Sequence, residues 1–347
     1  MKRILLTILQ VSITVGLLCY IFRKPDQRAQ MVVALHTANF FWLIPAIFSI
    51  GFAFALQTER WRLLLGVQGI RLGWWRTFKI YLIGAFFNLF LLGATGGDLV
   101  KIFYAMRETA SKKSAAFLSV LVDRMMGLVA LVGVTAVLCS LRLNVLLSHP
   151  EIYKYLIFLA VILGGSFAMV VFGFIVDRFH LAKFLPTWLP MHGKILELAG
   201  AFSVYARDVK VLALTFGISI PAHLLIFLAF FFAAQAFNAF TGLKGFLDFF
   251  SVIPIIQTIS SVPISFGGLG LREFMFTTLL GVYPTELNLD VAPMISLIGY
   301  LILVLWGVLG GIVYLIYRPA GGIHIHDVEE EVAELEHAIE EKVEKEG

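Results

Sequence analysis

Charge is what this sequence lacks most. Of its 347 residues only 14% are Asp, Glu, Lys or Arg, about half the share found in soluble domains. That scarcity excludes an ordinary soluble surface, which carries both signs of charge throughout. Cysteine is nearly absent as well. Cys19 and Cys139 lie in separate apolar runs, so a disulfide framework is excluded and the two read as small lipid-embedded hydrophobes. Enzyme signatures are missing: the chain has no G-x-x-x-x-G-K-[ST] phosphate loop, no H-E-x-x-H zinc helix and no G-x-S-x-G nucleophile elbow. The glycine run Gly267-Gly268-Leu269-Gly270 does not follow a strand of a βαβ unit, so a dinucleotide fold is not expected. His324-x-His326-Asp327 has no third partner at suitable spacing, and no metal or other cofactor is expected. Nucleic acid is not an expected partner either. The net charge of +4 comes from basic residues between apolar runs, where orientation and phospholipid headgroups account for them.

What is present is apolar surface. Hydrophobic residues make up 59% of the chain and the mean hydropathy is +0.89. Many runs reach the length of about 20 residues that a bilayer-crossing helix needs. They are apolar on all sides, whereas barrel strands alternate, and only helices satisfy their own backbone groups in lipid. An all-α polytopic membrane protein is therefore expected. Six full spans are predicted at about 4–22, 38–58, 115–141, 152–176, 211–237 and 291–317. Two more apolar stretches, about 80–106 and 246–283, are interrupted. The first breaks at Gly93-Ala94-Thr95-Gly96-Gly97-Asp98, and the second at Pro263 through Gly267, Gly268 and Gly270. Glycine and proline at that density end helices, so each stretch is predicted to be a re-entrant pair of half-helices.

Basic residues orient this layout. With a cytoplasmic N-terminus, the inner loops hold Arg60, Arg62, Arg71, Arg76 and Lys79, then Arg107, Lys112 and Lys113, then Arg178, Lys183, Lys194, Arg207 and Lys210. The outer loops hold fewer, although Arg23, Lys24 and Arg28 fall there. The asymmetry predicts N- and C-termini in the cytoplasm of a cell (inner) membrane protein. The N-terminal run resembles a secretory signal but has no A-x-A site, so a retained helix is expected. Span, span, broken hairpin, span describes both 4–141 and 152–317. The halves start on opposite sides, which predicts an inverted-topology repeat with a substrate site near the midplane. Residues 1–320 thus form one membrane domain and 321–347 an acidic cytosolic tail. Val328, Val332, Leu335, Ile339 and Val343 in that tail are spaced for an amphipathic helix; a disordered tail is the equal alternative.

Charges inside apolar segments are costly and mark candidate sites. Asp98 and Lys101 share a helix face after the first break, Arg272 and Glu273 follow the second, and Asp123 and Arg124 lie within a full span. Lys101, Arg124 and Arg272 are candidates to attract an anionic headgroup; Asp98 and Glu273 could hold a cationic group or a coupling proton. The alternative is that all six form internal salt bridges. Glu59-Arg60-Trp61-Arg62 ends the second span. It reads as an interfacial anchor, or with Arg60 and Arg62 as headgroup contacts at a cavity mouth. Asn88, Gln257, Ser260 and Ser261 could line a polar cavity or link helices.

Four motifs in order resemble those of the lysylphosphatidylglycerol synthase transmembrane family, also called the flippase-like domain family and found as the membrane domain of multiple peptide resistance factors. They are Glu59 through Leu65, Phe87-Asn88 with Gly96-Gly97-Asp98, Asp123-Arg124 with Gly127-Leu128, and Pro263 through Gly270 with Arg272-Glu273. Where the family has a proline before the first Gly-Gly-Asp, this sequence has Ala94 or Thr95. The resemblance implies a domain over about 1–320 that moves a lipid between leaflets. No segment here resembles the family's aminoacyl-transfer or glycosyltransferase domains, so lysine transfer is not expected. A lipid flippase or lipid-binding transporter is the leading expectation. A lipid-modifying membrane enzyme using Asp98, Asp123 or Glu273 is the alternative, as is an accessory subunit docking a soluble synthase through the acidic tail. A membrane lipid is the expected substrate, and a homodimer partner is left open.

Overall fold

The computed structural model describes residues 2–90, 96–108, 113–162, 164–165, 204–205, 207–261, 265–281 and 291–317. Every regular element among them is helical, with no strand. In chain order the helices are α1 (Lys2–Ile21), α2 (Pro25–Thr37), α3 (Leu43–Val67), α4 (Trp74–Phe90), α5 (Gly96–Glu108), α6 (Lys113–Ser140) and α7 (Leu143–Leu147). They continue with α8 (Tyr153–Ile162), α9 (Val209–Gln235), α10 (Gly242–Ser260), α11 (Leu271–Leu280) and α12 (Ala292–Ile316).

Five helical stretches are long and apolar enough to cross a bilayer: Phe40–Val67, Ser114–Ser140, Val209–Gln235, Gly242–Ser260 and Ala292–Ile316. Four of them coincide with predicted full spans. The first predicted span, 4–22, falls on α1, a helix of 20 residues from Lys2 to Ile21. Of the predicted 152–176 span, only Tyr153–Ile162 is a described apolar helix; residues 166–176 lie outside the described residues. So do Gly93, Ala94 and Thr95 of the first break, Pro263 of the second, and the acidic tail.

Two differences from expectation have local causes. Residues 25–37 are helical rather than a loop. Pro25 occupies a first-turn position, where its missing N–H is no loss, and Asp26 in that turn favours the positive helix end. The first arm of the second broken segment, α10, runs for 19 residues, about 28 Å at 1.5 Å per residue. That is the length of a full crossing rather than of a half-helix. Pro254 lies inside it without ending it, because packed neighbours in an apolar interior keep a proline-containing helix intact.

α3 lies along α9, α4 packs against α12, and α10 packs against α6. α4 also packs on α5, and α10 on α11. Aromatic rings fill the junction of α9, α10 and α11: Phe230 and Phe276 lie 5.8 Å apart by ring centroids, and Phe249 and Phe276 6.5 Å. All three rings are fully buried. Large apolar residues such as Phe48, Phe52, Ile312 and Leu315 are exposed, as expected where hydrocarbon rather than water surrounds the helices.

Candidate functional site

The contact between α4 and α5 is closed by a glycine and an amide. The N–H of Gly97, one of the first-turn donors that α5 cannot satisfy internally, donates to Asn88 Oδ1 at 2.9 Å. A Cβ on Gly97 would overlap the Gly84 carbonyl and the Asn88 amide, so only glycine lets α5 lie this close to α4. Gly96 and Gly97 are both buried at the start of α5. That contact turns the next turn of α5 inward, with Asp98 and Lys101 both buried.

Asp98 gathers two cations. Its Oδ2 accepts from Arg124 Nε at 2.6 Å, and Lys101 Nζ lies 3.7 Å from its Oδ1. The Lys101 ammonium sits 4.1 Å from the Tyr81 ring centroid and 5.6 Å from that of Trp61, inside cation–π range. Tyr81 in turn donates to Gln57 Oε1 at 2.8 Å.

A second junction lies beside the first. Arg60 Nε donates to Asp123 Oδ1 at 2.7 Å, and Arg60 Nη1 donates to Ser219 Oγ at 3.1 Å. One side chain thereby joins α3, α6 and α9. Gly127, one turn beyond Asp123, makes room for it; a Cβ there would lie 2.9 Å from Arg60 Nη1. His223, one turn beyond Ser219, pairs through Nε2 with the Gly127 carbonyl at 2.9 Å. Asp123 and Arg124 are adjacent in sequence, yet on a helix they point about 100° apart. Each therefore serves a different partner.

These groups surround a cavity of about 470 Å³ lined by Gln57, Arg60, Tyr81, Asn88, Lys101, Asp123, Arg124, Gly127, Leu128, His223 and Ser261, with apolar neighbours. Its volume lies within the range typical of small-molecule sites. The structure thus brings Arg60, Asn88, Lys101, Asp123 and Arg124 to one wall, with Asp98 behind them.

Besides Asp98, three predicted site residues are not on this cavity. Arg62 makes a two-point contact with Glu59, Nε to Oε2 at 2.8 Å and Nη2 to Oε1 at 2.6 Å. That pair is partly exposed, which fits an interfacial anchor for Arg62; Arg60, two residues earlier, is buried instead. Arg272 and Glu273 form a separate cluster at the start of α11. Glu273 Oε2 accepts from the Gly270 N–H at 2.5 Å and Oε1 from Ser296 Oγ at 2.7 Å. Both of its oxygens are occupied in capping α11 and tying it to α12. The Arg272 guanidinium stacks 4.5 Å from the Tyr300 ring and lies 3.8 Å from Glu273. The chain reaches this point through Gly267, Gly268 and Gly270, at φ of 59°, 78° and 78°, a left-handed turn that side-chain-bearing residues disfavour.

Several contributors were not singled out from the sequence. His223 and Asp248 carried the usual signal, a titratable group inside an apolar run. Asp248 on α10 pairs with Arg142 at 2.9 Å, away from the cavity. Tyr81 and Gln57 carried no signal, because their role depends on which helix lies opposite. Among the described residues no group of three or more His, Cys, Asp or Glu could hold a metal ion; His324, His326 and Asp327 lie outside them.

A family model described as lysylphosphatidylglycerol synthase TM region matches residues 7–319. A search of the curated proteins found no match.

Proposed function

Because the chain belongs to the lysylphosphatidylglycerol synthase transmembrane-region family, whose members' work concerns membrane lipids, we propose that it holds a lipid headgroup in the charged cavity and carries that lipid between leaflets. The observation that carries this reading is a cavity of about 470 Å³ walled by Arg60, Lys101, Asp123 and Arg124 inside an apolar helical protein. Burying so many charges costs free energy unless they are paired or meet a polar ligand. A headgroup provides that ligand while its acyl chains stay in the bilayer.

The helix pairing supports an inverted repeat as the moving frame. If α3 corresponds to α9, α4–α5 to α10–α11, and α6 to α12, then α4 against α12 and α10 against α6 are the same contact made twice. A two-fold relation between halves produces such reciprocity, and repeats rocking about a central site are a recurrent transport device. In this reading the hairpins are re-entrant, α10 is a steeply tilted first arm, and both termini face the cytoplasm.

The test is leaflet exchange of a fluorescent phospholipid in vesicles containing the purified protein, read by quenching from outside. The expected result is protein-dependent exchange that Leu128→Trp slows at least about tenfold, because a bulky ring on the wall fills the cavity without touching a charge. Equal exchange in protein-free vesicles, or in the folded Leu128→Trp protein, would remove the cavity from the path.

A further inference from the structure

We propose that the acidic segment 327–347 docks on its own chain, against a basic rim that Arg76, Lys79 and Arg107 form around the end of α12.

One aromatic residue assembles the rim. Tyr317 directly follows α12, and side chains from α4 and α5 converge on it. Arg76 Nε donates to the Tyr317 hydroxyl at 3.1 Å, and Lys79 Nζ lies 5.1 Å from the Tyr317 ring centroid, inside cation–π range. Tyr104 on α5 stacks on the same ring, with 6.4 Å between centroids. Arg107 is three residues beyond Tyr104 and shares its helix face; its guanidinium lies 4.8 Å from the Phe103 ring. All three basic side chains are exposed.

Helix dipoles account for only one of them. Arg107 is in the last turn of α5, where a cation complements the negative helix end. Arg76 and Lys79 are in the first two turns of α4. That is the positive end, where cations are disfavoured, and the first turn of α4 has no acidic residue. A patch with cations added to a positive helix end attracts an anionic partner.

The sequence that leaves the rim supplies that partner. Residues 327–347 hold ten acidic and two basic residues. Asp327 comes ten residues after Tyr317, so the connection spans at most about 35 Å. A tether that short holds the acidic segment over the rim at an effective concentration on the order of millimolar, an advantage that no free anion shares. Arg76 and Lys79 also turn toward the residue from which the chain departs, rather than away from it.

Zero-length carbodiimide coupling in the full-length protein, followed by peptide mass mapping, tests this. In neutral detergent at low salt, a bond is expected between Lys79 and a glutamate of the segment between Glu329 and Glu346. Its yield should fall at least about fivefold at about 0.5 M salt, where exposed charges are screened beyond a few ångströms. Arg76→Glu and Arg107→Glu, both exposed substitutions that leave Lys79 in place, should each lower it at least about twofold. Lys244 is the control. Asn39, just before α3, donates its N–H to Ala236, just before α10, so Lys244 lies near the start of α3. α3 is 25 residues long, about 37 Å, and its other end leads into α4 and Lys79; Lys244 should not couple to the segment. No Lys79 bond in the folded protein, a yield indifferent to salt, or equal coupling of Lys244 overturns the proposal. Mixing isotope-labelled with unlabelled protein decides the source. Bonds within one label support the proposal, whereas bonds between labels put the segment of a second copy on the rim and overturn it. Anionic lipid that co-purifies with the protein and is lost in Arg76→Glu, with Lys79 never coupled, makes the rim a headgroup anchor and overturns it as well.

Discussion

Replacing Asp123 by Asn measures what the Arg60 junction contributes. The substitution keeps the shape of the side chain and one oxygen able to accept from Arg60 Nε, now 2.7 Å away. It removes the negative charge opposite a guanidinium whose side chain is 5% exposed. Breaking a buried pair by removing one partner costs about 3–5 kcal/mol. The retained hydrogen bond returns about 1 kcal/mol of that. A net loss of about 2–4 kcal/mol is expected. The control is Glu59→Gln, which breaks the partly exposed Arg62–Glu59 pair and should cost less than about 1 kcal/mol. A third variant separates stability from function. Arg60→Met with Asp123→Leu removes both charges, and replacing a buried pair by apolar residues of similar volume is near neutral or stabilising. The double variant should regain most of the lost stability yet bind no headgroup. Heat-induced unfolding of membrane proteins is commonly irreversible, so reversible denaturant titration in mixed micelles is the assay. If Asp123→Asn is no more destabilising than Glu59→Gln, or if the double variant is the least stable of the three, the junction is not a buried and coupled pair.

Gly97→Ala should destabilise the protein by about 1–3 kcal/mol, because its Cβ would overlap the Gly84 carbonyl and push α5 off α4; denaturant midpoints read this, and an unchanged midpoint would deny the close approach. In detergent, a maleimide should spare Cys139 while the protein is folded, because its thiol is buried 3.4 Å from the Ser251 carbonyl, and label it after unfolding; mass mapping of the labelled peptides decides, and equal labelling in the folded and unfolded protein would contradict the packing of α6 against α10.

Much of the helix plan could be read along the chain, since hydropathy and helix-breaking glycines act within a window of neighbours. The stretches Ser114–Ser140, Val209–Gln235 and Ala292–Ile316 fall within a few residues of their predicted bounds. The length of α10 was harder to read. The break at Pro263 through Gly270 suggests two short arms, and only the packed neighbours of α10 show that it continues through Pro254 for 19 residues. The short α2 was not predicted because residues 25–37 are too polar to read as a span, although Pro25 at a helix start is tolerated.

Charged residues could be recognised as important from the sequence, because an ionised group in an apolar run needs a compensating partner. Which partner it takes could not. Asp98 and Lys101 share a face through their spacing alone, but the tighter contact of Asp98 is to Arg124, 26 residues away, and Asp123 meets Arg60 63 residues away. The sequence by itself determined the solvent this protein folds in, the helical class that solvent imposes, and the places where helices break, since each follows from local composition. Only the tertiary structure decided that Arg60, Lys101, Asp123 and Arg124 share one wall while Arg272 and Glu273 stand apart. That choice depends on which helices lie side by side, and a charge pairs across a few ångströms of space however many residues separate it along the chain.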